Sequence, residues 1–278
     1  MSSGDLGALV IALREGVEMT LIAGIVLAYL TQIGARRAHR WVWLGAAAAA
    51  LVSLGFLGIL NLLDAEFQGS TEQIFEGVTM LIAAGFLTWM IFWMLRQSRH
   101  LKGELQRGIQ EVLARGGAAW GIFALVFFAV VREGVETALL LFAAPGEGKL
   151  LGTLIGLAIA LGIGVLIYAF GRRIDLATFF RVTGIVLVLF AAGLVTHGVH
   201  EFVEAGVVSG GSQLFDLSAT LPDTEGPGAI LRSLFGYSAD PTLLEGAVYI
   251  AYYVVAVVLW KSRIIRRDPA KRPIARSA

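Results

Sequence analysis

Long apolar stretches recur along most of the chain. Each is close to the roughly 20 apolar residues that an α-helix needs to cross the hydrocarbon core of a bilayer. The stretches lack the alternation of apolar and polar positions that marks barrel strands, and backbone groups in lipid must be bonded internally, so we predict helices. The predicted spans are 6–30, 41–63, 73–95, 118–143, 150–171, 178–200 and 243–261.

Composition agrees with this pattern. Charged residues make up 15% of the 278 residues, against about 25% in soluble domains. The chain has no cysteine, which excludes disulfides and thiolate metal sites. The first five residues hold no Lys or Arg, so the first span is not a cleavable signal peptide. We therefore predict an all-α polytopic membrane protein with seven transmembrane helices.

Basic residues concentrate in alternate connections. Of the 22 Lys and Arg, 18 lie in 31–40, 96–117, 172–181 and the chain after residue 260. The positive-inside rule then places the N-terminus outside and the C-terminus in the cytoplasm. We expect a single transmembrane domain over 1–261, a basic cytoplasmic tail over 262–278, and insertion in the cytoplasmic (inner) membrane.

The chain contains an internal repeat. The pentapeptide Arg-Glu-Gly-Val-Glu occurs at 14–18 and again at 132–136, in the first and fourth spans. The second and fifth spans both carry small residues at every fourth position, a spacing that lets helices approach closely in lipid. Because three spans are an odd number, the second unit enters from the opposite face, which makes an inverted repeat typical of secondary transporters. The two units cover about 6–95 and 118–204, and the seventh helix lies outside them.

The pentapeptides place charge in the middle of apolar helices. Helical spacing puts Arg14, Glu15 and Glu18 on one face. The fourth span repeats this arrangement with Arg132, Glu133 and Glu136. Each charge costs roughly 2.5–3.5 kcal/mol at a helix centre, so buried ionisable groups are expected to be functional.

The two motifs together carry a negative formal charge. Four carboxylates against two guanidinium groups leave −2. We predict that helices crossing at the motifs form a midplane site for a hard cation, with the glutamates as ligands and the arginines as compensating charges. Gly16 and Gly134 leave room for a second helix or a ligand. The alternative interpretation is that the Arg–Glu pairs only lock the helices together.

A second, outer metal site is the next candidate. His197, His200, Glu201 and Glu204 share one face at the end of the sixth span, and imidazole with carboxylate can bind Fe, Mn or Zn. Two further acids, Glu72 and Glu76, stand one turn apart at the start of the third span. The alternatives are an amphipathic helix end and a dipole-favoured helix start. The outer 206–242 segment is either a partner-docking segment or a long connector.

With these motifs, the chain resembles the oxidase-dependent iron transporter family, which includes fungal high-affinity iron permeases and bacterial Efe-type permeases. The resemblance covers about 6–261 and requires both pentapeptides, their spacing and the seven spans. It implies iron import, with Glu15, Glu18, Glu133 and Glu136 as ligands beside Arg14 and Arg132. It also implies a separate extracytoplasmic oxidase or peroxidase and an iron-binding protein.

Iron, ferrous or ferric, is then the transported substrate, and no tightly bound cofactor is expected. We expect the protein to be surrounded by membrane lipid and not to bind nucleic acid. A homo-oligomer is compatible with the sequence. Two other functions stay open at this point. One is transport of manganese or lead through the same carboxylates. The other is an integral membrane lipid-pyrophosphate phosphatase, although the chain lacks the Pro-Gly-x-Ser-Arg phosphate loop of those enzymes.

Overall fold

A computed structural model describes residues 3–97, 101–114, 118–146, 148–170 and 176–265. These ranges form an all-helical protein. Its α-helices are α1 (Ser3–Gln32), α2 (His39–Glu66), α3 (Ser70–Gln97), α4 (Leu101–Ala114), α5 (Ala118–Ala143), α6 (Lys149–Phe170), α7 (Leu176–Glu204), α8 (Gly226–Phe235) and α9 (Leu243–Ile265). The basic tail predicted for 262–278 falls mostly outside the described residues.

The helices fit a membrane protein. Within the described ranges, α2, α3, α6, α7 and α9 are long and apolar enough to span a bilayer. The two remaining long helices, α1 and α5, contain the pentapeptides, each of which places three charged residues within five positions. The predicted all-helical membrane protein is confirmed, while the count of seven spans, the repeat and the orientation stay predictions.

Apolar side chains cover the outside of the bundle. On α2, α6 and α9 many large hydrophobic residues are exposed, among them Leu51, Leu62, Leu150, Leu161 and Ile250. In water such surfaces would be costly, since burial of apolar area is worth about 25 cal/mol per Å². In a bilayer they face lipid, so the apolar outer surface of the bundle fits a membrane.

Long helices pack in three main pairs. Helix α1 lies along α6, α2 along α5, and α3 along α7, while α1 and α5 also touch each other. The first helix of each sequence repeat therefore packs on the second helix of the other repeat. The third helices pack on each other, and α9 lies against α7.

Small residues allow two of these pairs to approach closely. A Cβ added to Gly156 of α6 would lie 2.6 Å from the carbonyl oxygen of Leu9 and 2.9 Å from the backbone nitrogen of Leu13. A Cβ added to Gly45 of α2 would lie 2.8 Å from the carbonyl oxygen of Phe123. The small-residue stripes of the sequence therefore lie at the α1–α6 and α2–α5 contacts, where backbone touches backbone.

The outer segment 206–242 contains a helix, which the sequence analysis did not predict. Helix α8 has a proline, Pro227, in its first turn and ends at Gly236, whose φ of 69° is in the left-handed region. Its buried face includes Ala229 and Ser233, and it packs on α1 and α7. This segment is therefore folded onto the end of the bundle that carries the outer acids.

The close contact at Gly156 yields a stability prediction. In Gly156→Leu the new side chain would meet the α1 backbone, so we expect a loss of about 1–3 kcal/mol in the free energy of unfolding. Gly162 lies in the same helix with no atom within 4 Å of an added Cβ. Gly162→Leu is therefore the matched control and should leave stability unchanged or raised. Unfolding by SDS titration measures both, and equal stability of the two variants would contradict the packing described.

Candidate metal centre

The two pentapeptides meet inside the bundle, because α1 and α5 contact each other. On each helix the arginine bonds to the glutamate next to it and to the glutamate one turn later. The spacing of the pentapeptide explains this, since residues i and i+4 are neighbours on a helix. All four carboxylates are buried.

Three of the four predicted glutamates form a compact group. Each of Glu15, Glu133 and Glu136 offers a carboxylate oxygen, and these oxygens lie within 4.8 Å of one another. The residues are between 0% and 5% exposed. Among the residues that the structure describes, this is the one group of three or more acidic or histidine side chains with that geometry. Its ligand atoms come from both pentapeptides.

Each of these three glutamates also has an unsatisfied oxygen. The Oε2 atoms of Glu15, Glu133 and Glu136 are buried and have no hydrogen-bond partner. Leaving a buried polar atom unpaired costs about 1–3 kcal/mol, and more for a charged group. Three such atoms in one place are the arrangement that a bound cation would satisfy.

Glu18 occupies a neighbouring position. Its Oε1 atom lies 3.0 Å from Nη2 of Arg14, and its carboxylate interacts electrostatically with those of Glu133 and Glu136. It is not part of the compact group, so the structure brings together three of the four predicted ligands and places the fourth beside them. Glu18 Oε1 is buried and makes no hydrogen bond despite this ion pair, so Glu18 is a candidate for a further ligand beside the group.

The two arginines differ in their surroundings. The Arg14 side chain is 2% exposed, and its Nη1 atom donates to the sulfur of Met90 at 3.3 Å as well as to Glu15. The Arg132 side chain is 47% exposed and lies over the ring of Trp93, with Cζ 4.8 Å from the ring centroid. The same pentapeptide thus holds a fully enclosed guanidinium in α1 and a half-exposed one in α5.

The glycine of each pentapeptide admits a second helix. A Cβ on Gly16 would lie 2.8 Å from the Cβ of Ala160 in α6. Gly134 faces Ser53 of α2, leaving no room there for a Cβ. Of the two predicted uses of this space, a second helix or a ligand, the structure shows the helix in both places.

A cavity of about 850 Å³ lies beside α2 and α5. Its lining includes the acids Asp64, Glu76 and Glu201, the bases Lys149 and Arg232, and Ser53 with Gly134, but none of the four pentapeptide glutamates. Glu76 and Glu201 also interact electrostatically with each other. Two of the predicted outer acids therefore line a space that also touches the glycine of the second pentapeptide, on the side of α5 that faces α2.

The predicted outer histidines lie in a second, polar pocket of about 300 Å³. His200 is held between two carboxylates, with Nδ1 2.9 Å from Glu245 and Nε2 3.2 Å from Glu204. Glu201 on the same helix lines the large cavity instead. The residues of the predicted metal-binding face of α7 are therefore divided between two cavities. Glu72 is partly exposed in the first turn of α3.

His197 has both ring nitrogens occupied. Its Nδ1 atom lies 2.9 Å from the carbonyl oxygen of Gly193, and its Nε2 atom accepts a hydrogen bond from Nε of Arg232 at 3.2 Å. Arg232 also pairs with Asp223. A metal at His197 would have to displace Arg232, so this histidine stabilises the position of α8.

Sequence reasoning missed Glu245 as a member of the outer pocket. This residue is 1% exposed at the start of α9, and its carboxylate accepts from the backbone of Thr242 while it bonds to His200. The sequence gives only a weak indication of this role, because an acidic residue in the first turn of a helix is usually explained by its favourable interaction with the helix dipole. Its burial depends on the fold of 206–242, which the sequence pattern does not reveal.

The helical bundle has an apolar outer surface and buried carboxylates in its interior. This architecture is typical of a membrane transport protein, because the carboxylates provide ligands for a cation that lipid does not provide. Residues 5–266 match the iron permease FTR1 family. The chain belongs to this family. It is therefore an integral membrane permease and not an enzyme.

Curated relatives agree with this family. The ferrous iron permease EfeU of Escherichia coli O6:H1 is 37% identical over 257 residues, which are 89% of this chain and 92% of the relative. The protein of the same name from Yersinia pestis is 35% identical over 256 residues, covering 90% and 91% of the two chains. No solved structure matches the chain.

The different burial of the two arginines yields a second prediction. Arg14→Met should lower the free energy of unfolding by about 3–5 kcal/mol, because it leaves buried carboxylates without their counter-ion. Arg132→Met should cost clearly less, because a half-exposed ion pair is screened. Chemical unfolding of both variants without added metal measures the difference. If Arg132→Met lost as much stability as Arg14→Met, or more, the burial of Arg14 would not determine its contribution to the free energy of unfolding.

Proposed function

We propose that the chain imports iron across the cytoplasmic membrane and that iron passes through the centre formed by the two pentapeptides. The observation that carries this proposal is the group of Glu15, Glu133 and Glu136, with three buried oxygens that lack partners. Family membership supports iron as the cargo.

The chemistry of the centre supports a hard or borderline cation. Its ligand atoms are carboxylate oxygens, which such cations prefer, and the thioether of Met90 is already bonded to Arg14. With both arginines in place, the two motifs keep a formal charge of −2. A bound divalent cation therefore neutralises the two motifs. The relatives are named ferrous iron permeases, which makes Fe²⁺ the form to test first.

We further propose that the two repeats are inverted and that seven helices cross the membrane with the N-terminus outside. The reciprocal pairing of α1 with α6 and of α2 with α5 supports this arrangement, because a two-fold axis in the membrane plane would exchange the pairs. Movement of one repeat against the other would then open the centre to each side in turn.

Charge compensation gives the arginines their role in this proposal. Arg14 and Arg132 hold the carboxylates together when no metal is bound, since each bonds to both glutamates of its own pentapeptide. An arriving cation can bind the unpartnered Oε2 atoms while the arginines keep the Oε1 atoms, and the guanidinium charges weaken its binding. The centre is thus kept assembled in the absence of iron without binding it too tightly to release.

We also propose that iron is supplied by separate proteins, an extracytoplasmic oxidase or peroxidase and an iron-binding protein. The family resemblance of the sequence supports this part of the proposal. Glu76 and Glu201 at the outer part of the large cavity are positioned to receive a cation from such a partner.

Uptake of radioactive iron tests the centre. Glu15→Gln and Glu136→Gln should each lower Fe²⁺ uptake by about 100-fold or more, since each removes a charged ligand worth at least about 3 kcal/mol of binding. The control is Glu111→Gln, which changes an exposed glutamate on α4 and should leave uptake unchanged. Equal amounts of protein in the membrane must be verified. Normal uptake by both centre variants would refute the proposed site.

Competition between metals decides which cation is carried. In proteoliposomes, excess Mn²⁺ or Pb²⁺ should slow Fe²⁺ uptake only weakly if the centre is selective for iron. Uptake of Mn²⁺ or Pb²⁺ at the rate of Fe²⁺, with loss of all three in Glu136→Gln, would instead support a general divalent-cation permease that uses the same carboxylates. The alternative of a lipid-pyrophosphate phosphatase is set aside, because the chain belongs to a family of permeases.

A further inference from the structure

Three helices enclose most of the large cavity. Its lining residues recur at helical spacing over 130–141 of α5, over 50–64 of α2 and over 150–157 of α6. Helix α2 packs along α5, and α6 packs along α1. The cavity is therefore a crevice between α2 and α6, with one face of α5 as its floor.

The two walls of this crevice belong to the lipid-facing surface of the bundle. Leu54 of α2 is 65% exposed, and Leu150 and Leu154 of α6 are 70% and 54% exposed, although all three line the cavity. Ala138 on the floor is buried. Water is a poor occupant of such a space, because an ordered water needs two to four polar partners and this lining is mostly apolar. In a bilayer the crevice therefore admits lipid from the side.

The length of the crevice matches one phospholipid. Along α2 its lining extends from Ala50 to Asp64, which are 14 residues apart. In an α-helix this separation is about 21 Å. Half of a bilayer of about 40–45 Å, headgroups included, has nearly the same depth. Ser53 lies against Gly134 within this length and none of the pentapeptide glutamates lines the space, so the crevice is separate from the carboxylate centre.

One end of the crevice carries charges of both signs. Lys149, the first residue of α6, interacts electrostatically with Asp64 in the last turn of α2 and with Glu76 of α3. The Nζ atom of Lys149 donates to the carbonyl oxygen of Phe142 at 3.1 Å, which leaves two of its three N–H groups for another acceptor. The Oδ1 atom of Asp64 is buried and has no hydrogen-bond partner. This end therefore offers donors to a phosphate and an acceptor to an ammonium group.

We propose that the crevice binds one phospholipid of the surrounding bilayer, with an acyl chain between α2 and α6 and an amine-bearing headgroup at Asp64 and Lys149. The headgroup phosphate lies beside Lys149, and the ammonium group donates to Asp64. The bound lipid completes the bundle, because it covers the face of α5 that carries the glycine of the second pentapeptide. This lipid site is separate from the proposed path of iron and goes beyond the proposed function.

The lipid that the protein retains tests this proposal. The protein is reconstituted in vesicles of phosphatidylethanolamine and phosphatidylglycerol in equal amounts, extracted again in mild detergent and examined by native mass spectrometry. The unchanged chain should carry a phosphatidylethanolamine molecule. Ala50→Trp places an indole in the crevice and should lower the retained lipid by about tenfold or more, since lost burial of even two methylene groups weakens binding by that much.

Ala47→Trp is the matched control. Ala47 is exposed on the same helix, one turn away, and is not part of the lining. This variant should retain lipid as the unchanged chain does. Equal retention by Ala47→Trp and Ala50→Trp would overturn the proposal.

The headgroup contact is tested separately, which also keeps the proposal testable if Ala50→Trp does not fold. Asp64→Asn should still retain a lipid but should lose the preference for phosphatidylethanolamine over phosphatidylglycerol, because the acceptor for the ammonium group loses its charge. Glu66→Gln changes an exposed acid two residues further along α2 and should keep the preference. An unchanged preference in Asp64→Asn would contradict the assigned headgroup.

Two further results would overturn the lipid site. One is that the unchanged chain retains no phospholipid. The other is a dimer in the mass spectrum that disappears in Ala50→Trp but not in Ala47→Trp, which would assign the crevice to a second copy of the chain. None of these measurements uses iron, so their failure leaves the proposed function as it stands.

Discussion

Six charged side chains in the middle of apolar helices, five of them buried, are the constraint on which the rest of this structure depends. Uncompensated, they would cost about 15–20 kcal/mol in a membrane. Each pentapeptide lowers this cost within its own helix through two Arg–Glu pairs. The four carboxylates exceed the two guanidinium groups by two negative charges, and they lie where α1 and α5 touch. A bound cation would compensate these two charges.

Close helix packing makes this gathering feasible. The glycines at 16 and 134 bring α6 and α2 against the pentapeptide helices, and the small residues of α2 and α6 remove the steric barrier from the opposite side. Lipid and bulk water are kept from the carboxylates by these contacts. The strength of the electrostatic interactions inside the bundle depends on this exclusion, because charges interact more strongly at low dielectric.

The two copies of one pentapeptide are not in equal surroundings. Arg14 is enclosed and bonded to Met90, while Arg132 is half exposed above Trp93. Ser53 faces one copy and Ala160 the other. A transporter built from inverted repeats alternates between two states by exchanging the environments of its halves. In one such state, with a cavity open on one side only, the two arginines would differ in exposure, as Arg14 and Arg132 do here.

Periodicity and charge predicted much of this arrangement. The positions of the long helices followed from apolar length, and the meeting of the pentapeptides followed from the charge that both carry into apolar helices. The sequence did not distinguish Glu18 from the three grouped glutamates, because Glu18 holds the same place in its pentapeptide as Glu136. Helix α8 was missed because a ten-residue helix among Gly, Ser, Asp and Pro gives little periodic signal.

The pairing of His200 with Glu245 was also out of reach, because it depends on how α9 returns to α7 across a long outer segment. Such contacts are set by tertiary packing, whereas the contacts of a pentapeptide with itself are set by helical spacing. The sequence was therefore most informative where its chemistry is local.

The most direct test of the account is to locate the metal. Crystals of the protein grown with Fe²⁺, and measured at the iron absorption edge, should show an anomalous peak within coordination distance of carboxylate oxygens from Glu15, Glu133 and Glu136. The account predicts that this peak disappears in Glu136→Gln. A peak confined to the outer pocket of His200 and Glu245, with the three glutamates bonded only to protein, would contradict it.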